Sequence, residues 1–232
     1  MKYWCDNSPV FTHFYDATSI LFPAWERAFC DITEAHKKHV DDPELLARMD
    51  SFIREETAHA TAHTAHNKRH KLTELQDAEY EKTRRLIKRP TSRLWLGAMV
   101  SIEHCASKMG ENFLRVYKNR NSREFNLYKW HAQEEINHRS LAVDIWNYMG
   151  YPKEQLNRVA AKNCAYVWKF WGAYVFAKLQ EERLLWYPKT WVDLTRLTFR
   201  MAVYVWLPYV KLFKDDFHPG KIGGHDEAFK AV

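Results

Sequence analysis

Apolar residues recur every three or four positions through most of the chain. Leu45, Leu46, Met49, Phe52 and Ile53 form one such stripe, and Leu127, Trp130, Leu141, Ile145 and Met149 belong to another. This is the helical period, whereas strands would alternate every second residue. Prolines punctuate the pattern. Pro23, Pro43, Pro90, Pro152 and Pro188 each stand near the start of a segment, where a helix tolerates proline in its first turn. Asp42 and Ser92 lie beside two of them as capping side chains. Gly150 reads as a helix stop. The pattern predicts six helices, over residues 22–40, 43–87, 91–118, 121–149, 153–186 and 188–214. No linker separates them, so residues 1–232 read as one all-α domain. Residues 22–149 are expected to form a four-helix bundle, with two further C-terminal helices over 153–214 packed on it. The tail over 215–232, with Pro219, Gly220, Gly223 and Gly224, is expected to be irregular.

Composition removes several alternatives. The seven glycines all fall at or after Gly97, which argues against a turn-rich β fold and excludes an early glycine-rich phosphate loop. A chain that is 46% hydrophobic and 28% charged is not a disordered one. The four cysteines stand singly, with no CxxC pair, so neither a zinc ribbon nor a thioredoxin-like site is signalled. Reduced thiols, and residues 1–10 without the apolar core of a signal peptide, lead to the expectation of a cytoplasmic protein. The uncharged run Met201 to Val210 is too short to span a bilayer. A net charge of +6 is mostly interleaved with acids, which predicts no specific nucleic-acid partner.

The chemistry lies in two copies of ExxH, Glu56 to His59 and Glu135 to His138. Residues three apart share a helix face, so each pair can serve one cluster from a single turn. A lone glutamate on the preceding helix accompanies each pair: Glu26 before the first and Glu103 before the second. The glutamates recur after 77 residues and the ExxH pairs after 79. The ordered set Glu26, Glu56, His59, Glu103, Glu135 and His138 matches the ligands of ferritin-like di-iron and di-manganese bundles. Carboxylate and imidazole donors suit two divalent ions, iron first, with manganese or zinc as alternatives. The apolar neighbours of Glu26 and Glu103 point to buried carboxylates, which are costly unless paired or metal-bound. Glu55 and Glu134 are expected behind the opposite histidines, Glu55 on His138 and Glu134 on His59. His63 and His131 share the ligand faces and are candidates for an extra ligand or a proton relay. His66 and His70 read as a plain polar face further along, and Cys30 as a small buried residue.

Leu21 to Phe29, Phe52 to His63, Glu103-His104 and Trp130 to Asp144 resemble a bacterial family of predicted metal-dependent hydrolases, and Phe217-His218-Pro219 extends the likeness. The family pattern has Gly at the position of Trp25 and Gln at the position of Glu55. The resemblance implies a metal site and, through the family's name, hydrolysis.

The ligand order, by contrast, suggests oxygen chemistry. The leading expectation is therefore an O2-activating di-metal oxidase or oxygenase acting on an apolar small molecule. The alternative is a hydrolase that uses a metal-activated bridging water. Ferroxidase activity or iron storage ranks lower. The aromatic run from Trp168 to Tyr209 reads as bundle cover, an apolar substrate channel, or a face for peripheral contact with the inner side of a membrane. Exposed aromatics would also favour a homodimer.

Overall fold

Ser8 caps the first helix, its hydroxyl accepting from the Phe11 N–H and donating to Asp193. The computed structural model describes residues 2–221, and within them the chain is helical with no strand. Helix α1 runs Pro9–Lys37, α2 Pro43–Arg69, α3 Thr73–Leu86, α4 Arg93–Tyr117, α5 Arg123–His138, α6 Leu141–Tyr148, α7 Lys153–Glu181 and α8 Pro188–Met201. A π turn over Ala202–Trp206 and a 3-10 turn over Val210–Phe213 follow. No helix among the described residues is long and apolar enough to cross a membrane.

Three boundaries depart from the sequence expectation. The first helix starts at Pro9 rather than near residue 22, and Pro23 lies inside it. A proline has no N–H to give to the carbonyl four residues back. That carbonyl belongs to Ser19, and it accepts from the Asn67 side-chain amide at 2.8 Å. The segment 43–87 divides at 70–72, where Lys71 takes a left-handed conformation (φ 59°) without being glycine. The Leu72 N–H closes the end of α2 on the Asn67 carbonyl. The segment 121–149 divides after His138, where Arg48 from α2 donates to Ser140 and Asp144. A tertiary anchor coincides with a break that no local residue signals.

Helix α1 packs on α2, α2 on α5, α5 on α4, and α4 on α1, so these four close a ring, and α7 covers α1 and α4. Gly110 lets α4 and α5 approach, since an added Cβ there would stand 2.8 Å from the Ala132 carbonyl oxygen. The C-terminal third divides its aromatic residues. Trp171 and Tyr209 are buried in the core, and Tyr209 bonds Ser101 of α4 at 2.7 Å. Trp186, Trp191 and Phe199 are exposed. The described part of the tail is irregular up to a 3-10 turn over Pro219–Lys221, yet it is anchored: Phe217 packs on His104, and His218 bonds Asp144 at 2.7 Å. Gly223 and Gly224 lie outside the described residues.

Candidate metal centre

The ring of four helices brings the sequence-predicted residues to its interior. On α2, Glu56 and His59 are one turn apart, and both are fully buried. On α5, Glu135 and His138 repeat the arrangement, also buried. Glu56, His59, Glu135 and His138 each place one donor atom within 4.8 Å of the others, and Glu26, His59 and His131 form a second such set. Glu103 of α4 is buried beside them, with Oε2 lacking a hydrogen-bond partner, but it belongs to neither set.

Several separations within the cluster exceed a hydrogen bond and match donors that share an ion. His59 Nδ1 lies 3.3 Å from Glu56 Oε1 and 3.7 Å from Glu135 Oε1, and His131 Nε2 lies 3.5 Å from Glu26 Oε1. Two donors bound at the usual distances to one tetrahedral ion stand about 3.4 Å apart. Both oxygens of Glu26 and of Glu56, together with Nδ1 of His59 and of His138, have no hydrogen-bond partner. Buried polar atoms are rarely left so.

Each of these histidines is held from behind by the other half of the site. His59 Nε2–H donates to Glu134 Oε2 at 2.6 Å, and Trp130 donates to the same carboxylate. His138 Nε2–H donates to Glu55 Oε2 at 2.5 Å, and Ser51 donates to Glu55 as well. The structure thus brings together both cross-pairs expected from the sequence. Each pairing turns the Nδ1 lone pair inward.

Electrostatics follow from burial and crowding. Burial, then the charges of Glu56 and Glu135, push Glu26 well above the usual carboxylate range. Burial, then Glu135, Glu56 and Glu26, do the same to Glu103. Burial raises Glu135, against the pull of His138 and His59. Burial pulls His138 down, but the Glu56 carboxylate 2.9 Å from its Nδ1, with Glu135 and Glu55, carries it up to about 9. Buried carboxylates repel one another and lack solvent, and a divalent cation supplies the missing counter-charge. The residues therefore fit a divalent metal.

His131 and His63 form a directed chain. The Ser19 carbonyl that Pro23 leaves open can only accept, so the Asn67 atom facing it is the amide nitrogen. That nitrogen also donates to Gln76. Asn67 Oδ1 then faces the Ser19 hydroxyl, which spends its one proton there at 2.7 Å. The same hydroxyl must accept from His63 Nδ1–H, 2.8 Å away. Neutral His63 therefore offers a bare Nε2 to His131 Nδ1–H, also at 2.8 Å. His131 Nε2 is left with a lone pair facing Glu135 Oε1 at 2.7 Å and Glu26 Oε1 at 3.5 Å. A lone pair against two carboxylate oxygens needs a proton or a cation between them. His63 has no nitrogen left to ligate, whereas His131 has one.

Ser19, Asn67 and Gln76 are absent from the sequence-predicted set. Two signals point to the first two: Ser19 is two turns before Glu26 on α1, and Asn67 is one turn beyond His63 on α2. His66 departs from its expected polar face, being fully buried. Cys30 turns towards the Ile53 carbonyl and Thr57, and burial pushes its thiol up to about 11.

No curated protein and no solved structure matches the chain. The family model described as "Predicted metal-dependent hydrolase" matches residues 1–223. That match corrects the leading expectation of an O2-activating oxidase or oxygenase, which rested on ligand order, and supports the hydrolytic alternative. With nearly its whole length covered, the chain belongs to the family of predicted metal-dependent hydrolases.

Proposed function

We propose that this protein is a two-metal hydrolase of an apolar small molecule, built on a ferritin-like arrangement of α1, α2, α4 and α5. The observation that carries the reading is the convergence of buried, unpartnered carboxylate oxygens on two histidines, each backed by a carboxylate. Glu56, His59, Glu135 and His138 would hold one ion, and Glu26 and His131, with His59 adjacent, the other. Bound there, the ions would lower the pKa of a water and polarise a carbonyl or phosphoryl oxygen.

The chain's own residues do the rest. Glu134 and Glu55 keep His59 and His138 in the donor tautomer. The His63, Ser19 and Asn67 chain keeps His131 Nε2 free of a proton. Glu103, the fourth carboxylate, takes the proton of the attacking water on Oε2, which has no hydrogen-bond partner. Burial already raises its proton affinity towards the range useful for a general base.

Three adjoining cavities support the substrate class. One is lined by Phe22, Met109, His131 and Glu135. The second shares Phe22 and Met109 and adds Trp25 and Ile102. The third, of about 300 Å³, shares Trp25 and Ile102 and carries Lys82 and Lys162. The first two measure about 30 Å³ each, so the third is the one with room for a short acyl chain or aromatic ring. Trp25 lines the second and the third.

The test loads metal-free protein separately with Zn²⁺, Mn²⁺ and anaerobic Fe²⁺, then assays apolar esters, amides and phosphate esters. Expected is metal-dependent hydrolysis that falls by about 10²-fold or more in Glu103→Gln, at unchanged metal content. Hydrolysis that is equal with and without metal, or protein that binds no metal at micromolar concentration, overturns the reading.

A further inference from the structure

A second group of donors lies on the same helices, beyond Asn67. Asp16 on α1 is buried and accepts from Trp4 Nε1 at 3.0 Å. His66 on α2 is fully buried, and neither of its ring nitrogens has a hydrogen-bond partner. His70, which caps the end of α2, stacks on His66 with ring centres 4.2 Å apart. Asp16, His66 and His70 each place one donor atom within 4.8 Å of the other two. Glu124 on α5 stands next to them, its Oε1 3.7 Å from His70 Nε2, while Ser122 holds its other oxygen at 2.9 Å.

We propose that Asp16, His66, His70 and Glu124 form a separate binding site for one divalent transition-metal ion. A fully buried imidazole normally finds at least one partner. Asp16 Oδ1 lies 3.7 Å from His66 Nε2, too far for a hydrogen bond. It is close to the separation of about 3.4 Å between two donors on one tetrahedral ion. The same spacing recurs between His70 and Glu124, and inside the candidate metal centre between His59 and Glu135 at 3.7 Å. Two carboxylates balance the charge of one divalent ion. Two imidazoles select zinc or a neighbouring transition metal over magnesium or calcium, which prefer oxygen donors. Three helices contribute, so the ion would tie the end of α2 to α1 and to the start of α5. His70 and Glu124 are each only partly buried, which gives the ion a way in from solvent.

The test is a zinc count. Metal-free protein is dialysed against buffered Zn²⁺ and its metal measured, with folding checked by circular dichroism. Wild type is expected to hold one more equivalent than His66→Ala. Glu56→Ala, altered only in the main centre, should keep the equivalent that His66→Ala loses. His70→Ala, a change at a partly exposed residue, should weaken that one equivalent by about tenfold or more, so the test survives if His66→Ala fails to fold. Long-range ¹H–¹⁵N spectra should show a His66 ring nitrogen shifting as that equivalent binds. Equal zinc content in wild type and both histidine variants, or an unmoved His66 ring, overturns the site.

Discussion

Helices α1 and α2 contribute Glu26, Glu56 and His59 to the candidate centre, and α4 and α5 contribute Glu103, Glu135 and His138. The donors repeat, and so does the backing: each half lends a carboxylate to the other half's histidine. The surroundings do not repeat. Helix α2 continues past His59 through His63 and Asn67, and so builds the chain that directs His131. Helix α5 stops at His138, where Arg48 clamps Ser140 and Asp144. Glu26 joins a set of converging donors, and Glu103 does not. Matching ligands therefore need not mean equivalent ions. One half holds its donors through a long polar chain, while the other leaves a carboxylate able to take a proton.

The largest expected effect removes what the halves share. Glu56 Oε1 lies 2.9 Å from His138 Nδ1 and 3.3 Å from His59 Nδ1. Glu56→Ala should lose nearly all metal from the main centre, whereas Glu34→Ala on the exposed face of α1 should lose none. Full main-centre occupancy in Glu56→Ala would remove the basis of the comparison.

Next come the backing carboxylates. Glu134→Gln and Glu55→Gln should each weaken metal binding by about 10–100-fold, read by competition with a chelator. If the halves are energetically alike, the two losses match. A much smaller loss for Glu55, which is the more exposed of the two, would make the halves unequal.

Ser19→Ala removes the acceptor of His63 Nδ1–H and acts on one half only. Its expected cost is about 1–3 kcal/mol of stability, together with a shift of the His131 ring tautomer in nitrogen NMR. An unchanged tautomer would break the directed chain.

The smallest effect is on stability against pH. His138 rises from 6.5 to about 9 on folding without metal, so its stabilisation is complete below 6.5 and is lost as pH climbs through 9. The raised carboxyls Glu26 and Glu103 act in the same sense, stabilising below their ordinary range and less so above it. His63 and His131, pulled down by burial, are neutral in both states above about pH 7 and drop out there. Metal-free protein should therefore melt a few degrees lower at about pH 9 than at about pH 7. Saturating metal should flatten or reverse that slope, because its binding releases protons. A metal-free melting point that rises over this range would count against the buried charges.

The helical class and the donor order are legible in the sequence because both are periodic. ExxH fixes two donors on one turn, and a lone glutamate one helix earlier needs only a short connection to reach them. What escapes is set by partners distant in the chain. Pro23 looks like a helix start until Asn67 is seen to satisfy the carbonyl it frees. The stop at Lys71 has no glycine to mark it. His66 sits on a polar-looking stretch, and only the packing of Trp4 and Tyr128 around it makes it interior. Ligand order points to oxidation where the family match supports hydrolysis, because one donor set suits both chemistries and spacing carries no information about the bond that changes.

Pro23 has one more consequence, for anyone seeking a hardier variant. Replacing it with alanine restores a backbone hydrogen bond within α1, and by local propensity this should raise the melting temperature. The new N–H at position 23 would then compete with the Asn67 side-chain amide for the Ser19 carbonyl, and the side-chain order that ends at His131 would slacken. Selection for heat resistance alone would favour that exchange, and directed evolution of this fold should screen catalysis alongside it.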